Sequence, residues 1–535
     1  MKLPLCLLLS LLCLSLFGSW DWASSIGGAG MERVWDIGCD ASSNIFITGD
    51  FSDSLYVNGQ SYPALGLGDS YVIKYSPEGN FLWAKCFGST NEDVALSVDT
   101  DSAGNSYVTG YYVDRFSIGE LSVNANGGWD VYVLKLDPQG NPLWLRSFGG
   151  ELNDIGYGLA VSPLGRVYIA GWFSGTVNLP GSSSLVSAGG SDVFCYSLDL
   201  DGNMLWAKRG GREGVEYGYE VACDASGNAY VTGVAGSGSQ FDNLTLTGDG
   251  MFVCKYSPTG DPLWLNCGNG GAVIDIAVQP STAPEQYGIV CGRLHGSGSY
   301  GSFPFSSIAN GDDAYWAKFD AATGEWLSLN AYGGEAADKG KDVDCESYPA
   351  FVASFEANGL FGASNFSSNG ESDFVLGWGD PMQFVSAGGE GSEVPTAIKI
   401  LPNGSIAVSG WHLGLGQIGD HIIDSGNVAN LNAYLACYTP EGSSNNDQLS
   451  PAINLSIYPN PFSDTTKISC IKAASAQTLE IFNLKGQKIN SLHPSSSSVS
   501  QNNYLWNGTD ARGKVCSSGI YLLRAGSSTY KALKL

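Results

Sequence analysis

Short runs of alternating apolar and polar residues follow one another along most of the chain, separated by turns rich in Gly, Asn, Asp and Pro. Residues 94–148 are typical: VALSVD alternates, SAGN turns, and SYVTGYY continues as a second strand. After a longer connection come DVYVLKL, the turn DPQGN and PLWLRSF. Gly and Asn in such turns supply the positive φ angles of tight hairpins. The pattern predicts four short strands and shows no helical period.

This four-strand pattern repeats at intervals of about 61 residues. Two ten-residue segments, DSAGNSYVTG at 101–110 and DASGNAYVTG at 224–233, are nearly identical. The Gly of the YVTG-type motif in the second strand recurs, with Ser354 in the sixth slot, at Gly49, Gly110, Gly171, Gly233, Gly292 and Gly410. The third strand recurs seven times, at 69–75, 130–136, 192–198, 250–256, 313–319, 373–378 and 432–438. Seven four-stranded units predict an all-β chain folded as a seven-bladed β-propeller.

The two ends of the repeat array complement each other. Fourth-strand sequences such as LWAKCFG at 82–88 and LWLRSFG at 143–149 have no counterpart after the seventh third strand. The missing sequence stands at the other end, as WASSIGG at 22–28. We therefore predict that residues 20–27 pair with the strand near 432–438 and close the ring, which removes an open sheet edge.

The repeats resemble a family of bacterial β-propeller repeats labelled SBBP. The motifs that carry this resemblance are G-N-x-Y-V-T-G, D-x-F-x-x-K and G-N-x-L-W, and the resemblance covers residues 20–440. It is strongest in the first four units and weakens in the fifth and sixth. The resemblance implies an extracellular location and no defined activity.

The composition changes after a polar linker at 441–452. Residues 20–443 carry sixteen Lys and Arg against forty-eight Asp and Glu, whereas residues 444–535 carry nine against four. Such a reversal of charge indicates a separate module. Within residues 453–535, short alternating strands between Gly and Pro turns predict a small β-sandwich.

This module resembles the type A C-terminal sorting domain of the type IX secretion system over its whole length. Asn507, where Asp is usual, is a mild departure. The matching motif residues are Tyr458, Pro459, Asn460, Pro461, Gly486, Trp506, Gly508, Gly519, Tyr521 and Lys531. The resemblance implies export across the outer membrane by the type IX secretion machinery, usually with removal of this domain and anchoring at the cell surface.

The first nineteen residues predict a secretory signal peptide. Lys2 precedes an apolar run from Leu3 to Phe17, and no later apolar run reaches the length of a membrane helix. We therefore expect a secreted or cell-surface protein of a Gram-negative bacterium, without a transmembrane segment. Eleven cysteines follow at irregular spacings, and we expect them to fill small apolar positions in the strands. A disulfide between Cys470 and Cys516 stays open.

One acidic position recurs 16 or 17 residues before the Gly slot. It is filled by Glu32, Asp93, Asp154, Glu216, Asp275, Asp338 and Glu393. Because the position begins the innermost strand, we expect seven carboxylates around one mouth of the central channel. Three interpretations remain open: carboxylates that accept backbone N–H bonds between blades, an acidic funnel that holds a cation such as calcium, and acid–base catalysis. No other cofactor is predicted.

The face that carries the long connections is the predicted binding surface, because the other face holds only tight hairpins. Candidate residues there are Trp172, His295, Trp411 and His412. The histidines, with His421 nearby, leave a metal site open, and the tryptophans leave a carbohydrate ligand open. The acidic charge argues against nucleic acid, and no HExxH, GxSxG or P-loop motif is present.

Three functions fit these observations. The first is a surface-attached binding or adhesion protein that uses the propeller as a non-enzymatic platform for an extracellular protein or glycan. The second is an extracellular polysaccharide-degrading hydrolase or lyase. The third is a structural component of a surface coat. A carboxyl or imidazole group that breaks the seven-fold pattern within a pocket would favour the enzyme, and the sequence singles out none.

Overall fold

A computed structural model describes most of the chain and divides it into two compact units, residues 1–443 and 444–535. The described residues are 18–180, 184–280, 286–308, 311–424, 430–440, 454–458, 465–471, 479–483, 487–493, 496–498, 501–525 and 528–534. The predicted signal peptide, apart from its last two residues, and the linker lie outside them. Every regular element within them is a β-strand. None of these residues forms a helix that could cross a membrane.

The first unit is a seven-bladed β-propeller, and each blade is an antiparallel sheet of four strands. We number the blades 1 to 7 and give the strands from innermost to outermost. Blade 1 contains Glu32–Cys39, Ile45–Phe51, Asp69–Tyr75 and Phe81–Phe87, and blade 2 contains Val94–Thr100, Ser106–Tyr112, Asp130–Leu136 and Pro142–Phe148. Blade 3 contains Asp154–Ser162, Arg166–Phe173, Asp192–Asp199 and Met204–Gly211, and blade 4 contains Tyr217–Cys223, Ala229–Ala235, Gly250–Tyr256 and Pro262–Asn269. Blade 5 contains Ala272–Val278, Tyr287–His295, Asp312–Asp320 and Trp326–Tyr332, and blade 6 contains Lys339–Cys345, Pro349–Phe355, Asp373–Trp378 and Gln383–Ala387. Blade 7 contains Ser392–Ile400, Ile406–Leu413, Leu431–Thr439 and Ser19–Gly28.

The N-terminal strand closes the ring, as the sequence predicted. Ser19–Gly28 is the outermost strand of blade 7 and runs antiparallel to Leu431–Thr439, with Trp20 opposite Tyr438 and Ile26 opposite Ala433. Ile26 is fully buried in a cluster that joins blades 7 and 1. The first residues of the propeller are therefore bonded to its last strand, and no blade is left with an open edge at the seam.

The long connection between the second and third strands of each blade is itself a short hairpin. The seven hairpins are Ser54–Val57 with Gln60–Pro63, Arg115–Ile118 with Leu121–Asn124, Thr176–Asn178 with Ser184–Val186, Gln240–Phe241 with Leu244–Thr245, Ser297–Tyr300 with Phe303–Ser306, Asn358–Phe361 with Ser364–Ser367, and Leu415–Ile418 with His421–Asp424. Three of them pair with the outermost strand of the preceding blade, and three more form a single bridge to a residue just after that strand. These hairpins link neighbouring blades at the rim.

The repeated sequence positions have repeated structural roles, with one correction. Gly49 of blade 1 lies opposite Val34 of the innermost strand, and the equivalent residue of blade 6 is Ala353, opposite Gly340. Ser354 is therefore one residue past the Gly slot. The hairpin of blade 6 is two residues shorter than that of blade 1, so counting along the sequence misplaces the slot.

The second unit consists of two antiparallel sheets around one core. One sheet contains Asn454–Tyr458, Thr466–Ile471, Gln501–Trp506 and Ser496–Ser498; the other contains Lys488–Leu492, Leu479–Asn483, Gly519–Ala525 and Ser528–Lys534. Ile468, Tyr504 and Trp506 of the first sheet pack with Leu479, Ile481, Tyr521 and Leu523 of the second. A core shared by two sheets is a β-sandwich, as predicted.

Candidate functional site at the channel mouth

The repeated acidic residues lie at the junctions between blades, not on the channel wall. Asp93, Asp154, Glu216, Asp338 and Glu393 are at most 1% exposed, as is Glu32. Asp154 accepts N–H bonds from Gly150, after the outermost strand of blade 2, and from Ser174, after the second strand of its own blade, at 2.7 and 3.1 Å. The amides four residues earlier likewise donate to Glu216, Asp338 and Glu393. These carboxyl groups tie one blade to the next.

Asp275, the seventh predicted member of this ring, lies elsewhere. Val34 pairs with Gly49 in blade 1, 15 residues away, but Val273 pairs with Gly292 in blade 5, 19 residues away. The longer hairpin of blade 5 shifts the count, and the residue equivalent to Glu32 is Gly271. Asp275 instead lies four residues deeper, on the channel wall. The predicted ring of seven carboxylates around the mouth is therefore wrong.

Burial raises the pKa of most junction acids. Removal from water raises the pKa of Glu32 to about 8. The same cause raises that of Asp93 to about 6 and those of Asp154, Asp338 and Glu393 to about 7, against the lowering effect of the donated amides. These groups therefore take up protons on folding near neutral pH.

The central channel contains a cavity of about 630 Å³. Four of the seven carboxyl groups that line it stand at the same position of their innermost strands: Asp36, Glu220, Asp275 and Asp342. Three of them accept amides from the next blade, because Asp36 binds Val98 N–H at 2.8 Å, Asp275 binds Val343 N–H at 3.0 Å and Asp342 binds Ile398 N–H at 2.6 Å. Glu220 accepts only the amide of Val221, at 3.0 Å, among the hydrogen bonds of the described residues.

Burial raises the pKa of all four of these wall carboxyls above its ordinary value. Burial, and then the charge of Asp275, raises the pKa of Asp342 and of Glu220 well above the ordinary values. Asp342 keeps the proton in its hydrogen bond with Asp275. Burial raises the pKa of Asp36 to about 6. The four wall carboxyls are therefore harder to ionise than carboxyl groups in water.

The mouth of the channel is formed by the bulge residue of each innermost strand. In every blade the pairing with the second strand skips one residue, and those residues are Trp35, Leu96, Tyr157, Tyr219, Ile274, Lys341 and Thr396. All seven line the cavity. A bulge turns a side chain out of the regular alternation, so this position faces the channel and differs from blade to blade.

Aromatic rings occupy the part of the mouth formed by blades 1, 3 and 4. Trp35 is 37% exposed, and its Nε1 donates to Asp50 at 2.7 Å. Tyr157 and Tyr219 contact edge to face, with centroids 5.9 Å apart. Tyr219 also stacks on Tyr217, at 6.3 Å. The rings are fixed by neighbours and still border the cavity, as in ligand sites.

Cations occupy the part formed by blades 5 and 6. Arg293, Lys339 and Lys341 all line the cavity. Burial and the neighbouring charges of Lys339 and Arg293 lower the pKa of Lys341 to about 8. Arg293 pairs with Asp312 at 3.1 Å. The mouth therefore has an aromatic side and a cationic side.

The predicted binding-face residues have different placements. His295 is 68% exposed and lies 3.1 Å from Asp312. Trp172 is partly buried and packs edge to face on Tyr217 at 5.4 Å, and Trp411 is partly buried in blade 7. His412 corrects the prediction, because it is fully buried and its Nε2 lies 2.8 Å from Ser25 Oγ of the closing strand. Within the described residues, no group of three or more His, Cys, Asp and Glu could hold a metal ion.

Two features of this site were missed by sequence reasoning. The bulge position was not recognised, although it stands at a fixed place three residues after the repeated acid in six blades. The cationic side was missed because Lys339, Lys341 and Arg293 come from two blades and become neighbours only through folding. The backbone contact that joins them is close: a Cβ on Gly340 would lie 2.7 Å from Gly292 O.

The motif residues of the second unit hold its core where they are described. Trp506 is fully buried, donates from Nε1 to Thr509 O at 3.0 Å and packs on Tyr521. Gly508 has φ +69, which favours glycine. Gly519 pairs with Lys534, and Lys531 pairs with Leu522. Tyr458 ends the first strand, opposite Lys467. Pro459, Asn460, Pro461 and Gly486 lie outside the described residues.

A family model and a curated protein match parts of the chain. Residues 456–534 match the family model described as the secretion system C-terminal sorting domain. A stretch of 332 residues is 23% identical to the uncharacterized WD repeat-containing protein L264 of Acanthamoeba polyphaga mimivirus, and covers 46% of this chain and 24% of that protein. The chain thus spans about a quarter of that relative's length.

Two solved structures are similar at low sequence identity. The WD40 domain of Neurospora crassa Pan2 has a TM-score of 0.40 and 9% identity, over 79% of this chain and 96% of that one. PorZ of Porphyromonas gingivalis, described as a bacterial surface component of the type IX secretion system, has a TM-score of 0.21 and 12% identity, over 94% and 81%.

The SBBP assignment of the repeats stays a prediction, whereas the C-terminal match agrees with the motifs, their order and the β-sandwich that they form. Residues 456–534 are a type IX secretion system C-terminal sorting domain, and the protein is a secreted or cell-surface β-propeller protein of a Gram-negative bacterium.

Proposed function

We propose that the protein is a non-enzymatic binding or adhesion protein that presents the mouth of its propeller channel to an extracellular ligand. The observation that carries the proposal is the break in the repeat at the bulge position, where side chains of six different types border one cavity. Loop and rim positions that differ among otherwise equal repeats are where repeat proteins bind. His295, Trp172 and Trp411 would belong to the surrounding face.

The wall carboxyls favour binding over catalysis. Asp36, Asp275 and Asp342 each accept an amide of the following blade, at 2.8, 3.0 and 2.6 Å. A carboxyl group held in this way serves as a link between blades and is not free to move protons for a substrate. The same reasoning assigns the junction acids, such as Asp154, to the fold.

A screen of the exported protein against glycan and protein arrays tests the proposal. We expect at least one ligand to be retained by the wild type and lost by the double variant Trp35→Ala/Lys341→Gln, with unchanged thermal unfolding. The matched control is Leu143→Ala, an exposed residue on the outermost strand of blade 2. Ligand capture that is insensitive to the mouth variant contradicts the proposal.

A second candidate function is an extracellular hydrolase or lyase that acts on polysaccharide. Glu220 favours it, because this carboxyl group breaks the repeat, lies on the cavity wall and has a raised pKa. Such a group is a general acid in many glycosidases. Turnover of any polysaccharide by the wild type and its loss in Glu220→Gln would establish the enzyme and overturn the binding proposal.

We further propose that residues 20–440 bind and that residues 453–535 act only as an address for the type IX machinery. The two units have separate cores and opposite charge. Gly486, Gly519, Tyr521 and the strand that contains Lys531 are the positions where single changes should block export. The carboxyl-terminal strand pairs along its whole length with Gly519–Ala525.

A further inference from the structure

The described residues of the propeller neutralise the cationic side of the mouth only in part. Neither Lys339 nor Lys341 forms an ion pair with any residue that the structure describes, and Arg293 shares Asp312 with His295. The two lysines flank Gly340, whose backbone abuts Gly292, next to Arg293. Three like charges are thus held together at one point of a domain in which acids outnumber bases three to one.

Like charges at a partly buried site repel one another, and an anionic ligand would remove that cost. The effect is visible at Lys341, whose pKa is lowered to about 8 by burial and by Lys339 and Arg293. Asp275 and Asp342, which follow the mouth residues Ile274 and Lys341 along the innermost strands, lie deeper and share a proton. The anion would therefore sit at the mouth and not on the wall.

The aromatic side of the mouth fits the other half of such a ligand. The faces of aromatic rings carry negative charge density and attract weakly positive C–H groups. Trp35, Tyr157 and Tyr219 border the cavity and are held by their own contacts. Sugar rings offer flat C–H faces, and Glu220 on the wall has room to accept a hydrogen bond from one of their hydroxyl groups. A cavity of about 630 Å³ admits a few sugar rings.

We propose that the channel mouth binds an anionic oligosaccharide, with its acidic groups at the cations and its sugar rings on the aromatic side. The cations are Arg293, Lys339 and Lys341, and the aromatic residues are Trp35, Tyr157 and Tyr219. This inference rests on the binding function proposed above. The shared chemistry of the ligand is a carboxylate or a sulfate on a chain of pyranose rings.

Isothermal titration calorimetry of the exported protein tests it with four probes: trigalacturonate, a sulfated chondroitin tetrasaccharide, maltotriose and hexaglutamate. At least one acidic saccharide should bind about tenfold or more tightly than both maltotriose and hexaglutamate. Lys339→Gln/Lys341→Gln should weaken that binding at least about tenfold and reduce its salt dependence. Trp35→Ala should weaken it without changing the salt dependence.

The matched control is Lys208→Gln. Lys208 lies on the outermost strand of blade 3 and forms an ion pair with Asp242. It should leave binding unchanged, and all variants should keep the wild-type unfolding temperature. Tighter binding of hexaglutamate than of either acidic saccharide overturns the saccharide assignment, and equal binding of maltotriose overturns the anionic one. If none of the four probes binds while array ligands depend on Trp35, this inference fails and the binding function stands. If array ligands bind the mouth variants as tightly as they bind the wild type, both this inference and the proposed binding function fail.

Discussion

Two neighbouring positions of the innermost strands behave in opposite ways. The position that holds Glu32 in blade 1 is acidic in six blades, and its side chains are buried between blades. The bulge position three residues later changes from Trp to Leu, Tyr, Ile, Lys and Thr around the ring, and its side chains border the channel. The repeated residues hold blades together, so their identity is fixed by the fold. The residues that differ have no such constraint and are free to recognise a ligand.

The junction between blades 4 and 5 sharpens this contrast. At the other junctions the third strand of one blade begins with an acid that lies beside the repeated acid of the next blade, as Asp69 lies beside Asp93. The exception among these is the junction between blades 7 and 1, where Asn432 takes the place of the first acid beside Glu32. Here both acids are missing together, because Gly250 and Gly271 occupy their places. Gly250 bridges to Gly270 through the backbone, as Gly68 bridges to Glu92 and Ser372 to Ser392 at other junctions. This junction thus keeps the main-chain bridge and lacks the carboxyl groups.

The largest expected effect comes from opening the ring. Deleting Trp20–Ile26 removes the outermost strand of blade 7 and exposes the edge of Leu431–Thr439. The loss should be comparable to the whole free energy of unfolding, about 5–15 kcal/mol, with aggregation. Soluble expression and thermal unfolding measure it. Ile26→Asp, a charge in a fully buried position, should act in the same direction. A truncated protein that unfolds at the wild-type temperature would contradict closure.

The second-largest effect is the loss of stability expected when a buried junction acid is replaced, compared with replacement of an exposed acid. Asp154→Ala leaves the amides of Gly150 and Ser174 without their acceptor, which should cost about 1–3 kcal/mol. Glu120→Ala, an exposed acid in a rim hairpin, should cost nothing measurable. Urea unfolding of both variants is the measurement. Equal stability of the two variants would mean that the junction acids do not hold the blades.

The dependence of stability on pH follows from the junction acids. Glu32 ionises near 4.5 in the unfolded chain but at about 8 in the folded one. Between these values the folded state holds the additional proton, so the free energy of unfolding should fall as pH rises from about 4.5 to 8. The acids with a pKa of about 7 add to the same trend. Glu32→Gln should flatten the curve of unfolding temperature against pH. A stability that rises over this range would contradict the assignment.

The smallest effect on the propeller is expected from removal of the sorting domain. Truncation after Glu441 leaves every blade intact, so the unfolding temperature of the propeller should not change. Export should nevertheless stop, and the truncated protein should accumulate inside the outer membrane. Fractionation of cells and medium measures this. Fusion of residues 447–535 to an unrelated exported protein should send that protein to the surface; normal yield of the truncated protein in the medium would contradict the address role.

The sequence predicted the fold through residues whose roles are local or repeated. Gly and Asn turns, third strands and the displaced WASSIGG segment sufficed for seven blades and their closure. The sorting motifs likewise stand in one continuous segment. The site depends on register instead, and a four-residue difference in one hairpin moved Asp275 from the junction to the channel wall. The neighbourhood of Arg293 and Lys341 depends on packing between blades, for which no local pattern exists.

The most direct test compares one variant of each position on the same array and in the same unfolding assay. The mouth variant Trp35→Ala/Lys341→Gln should lose ligand and keep the wild-type unfolding temperature. The junction variant Asp154→Ala should unfold at a lower temperature than the wild type. At temperatures where this variant is still folded, it should bind the ligand as the wild type does. Loss of ligand in the junction variant with full retention in the mouth variant would contradict the division between residues that build the propeller and residues that bind.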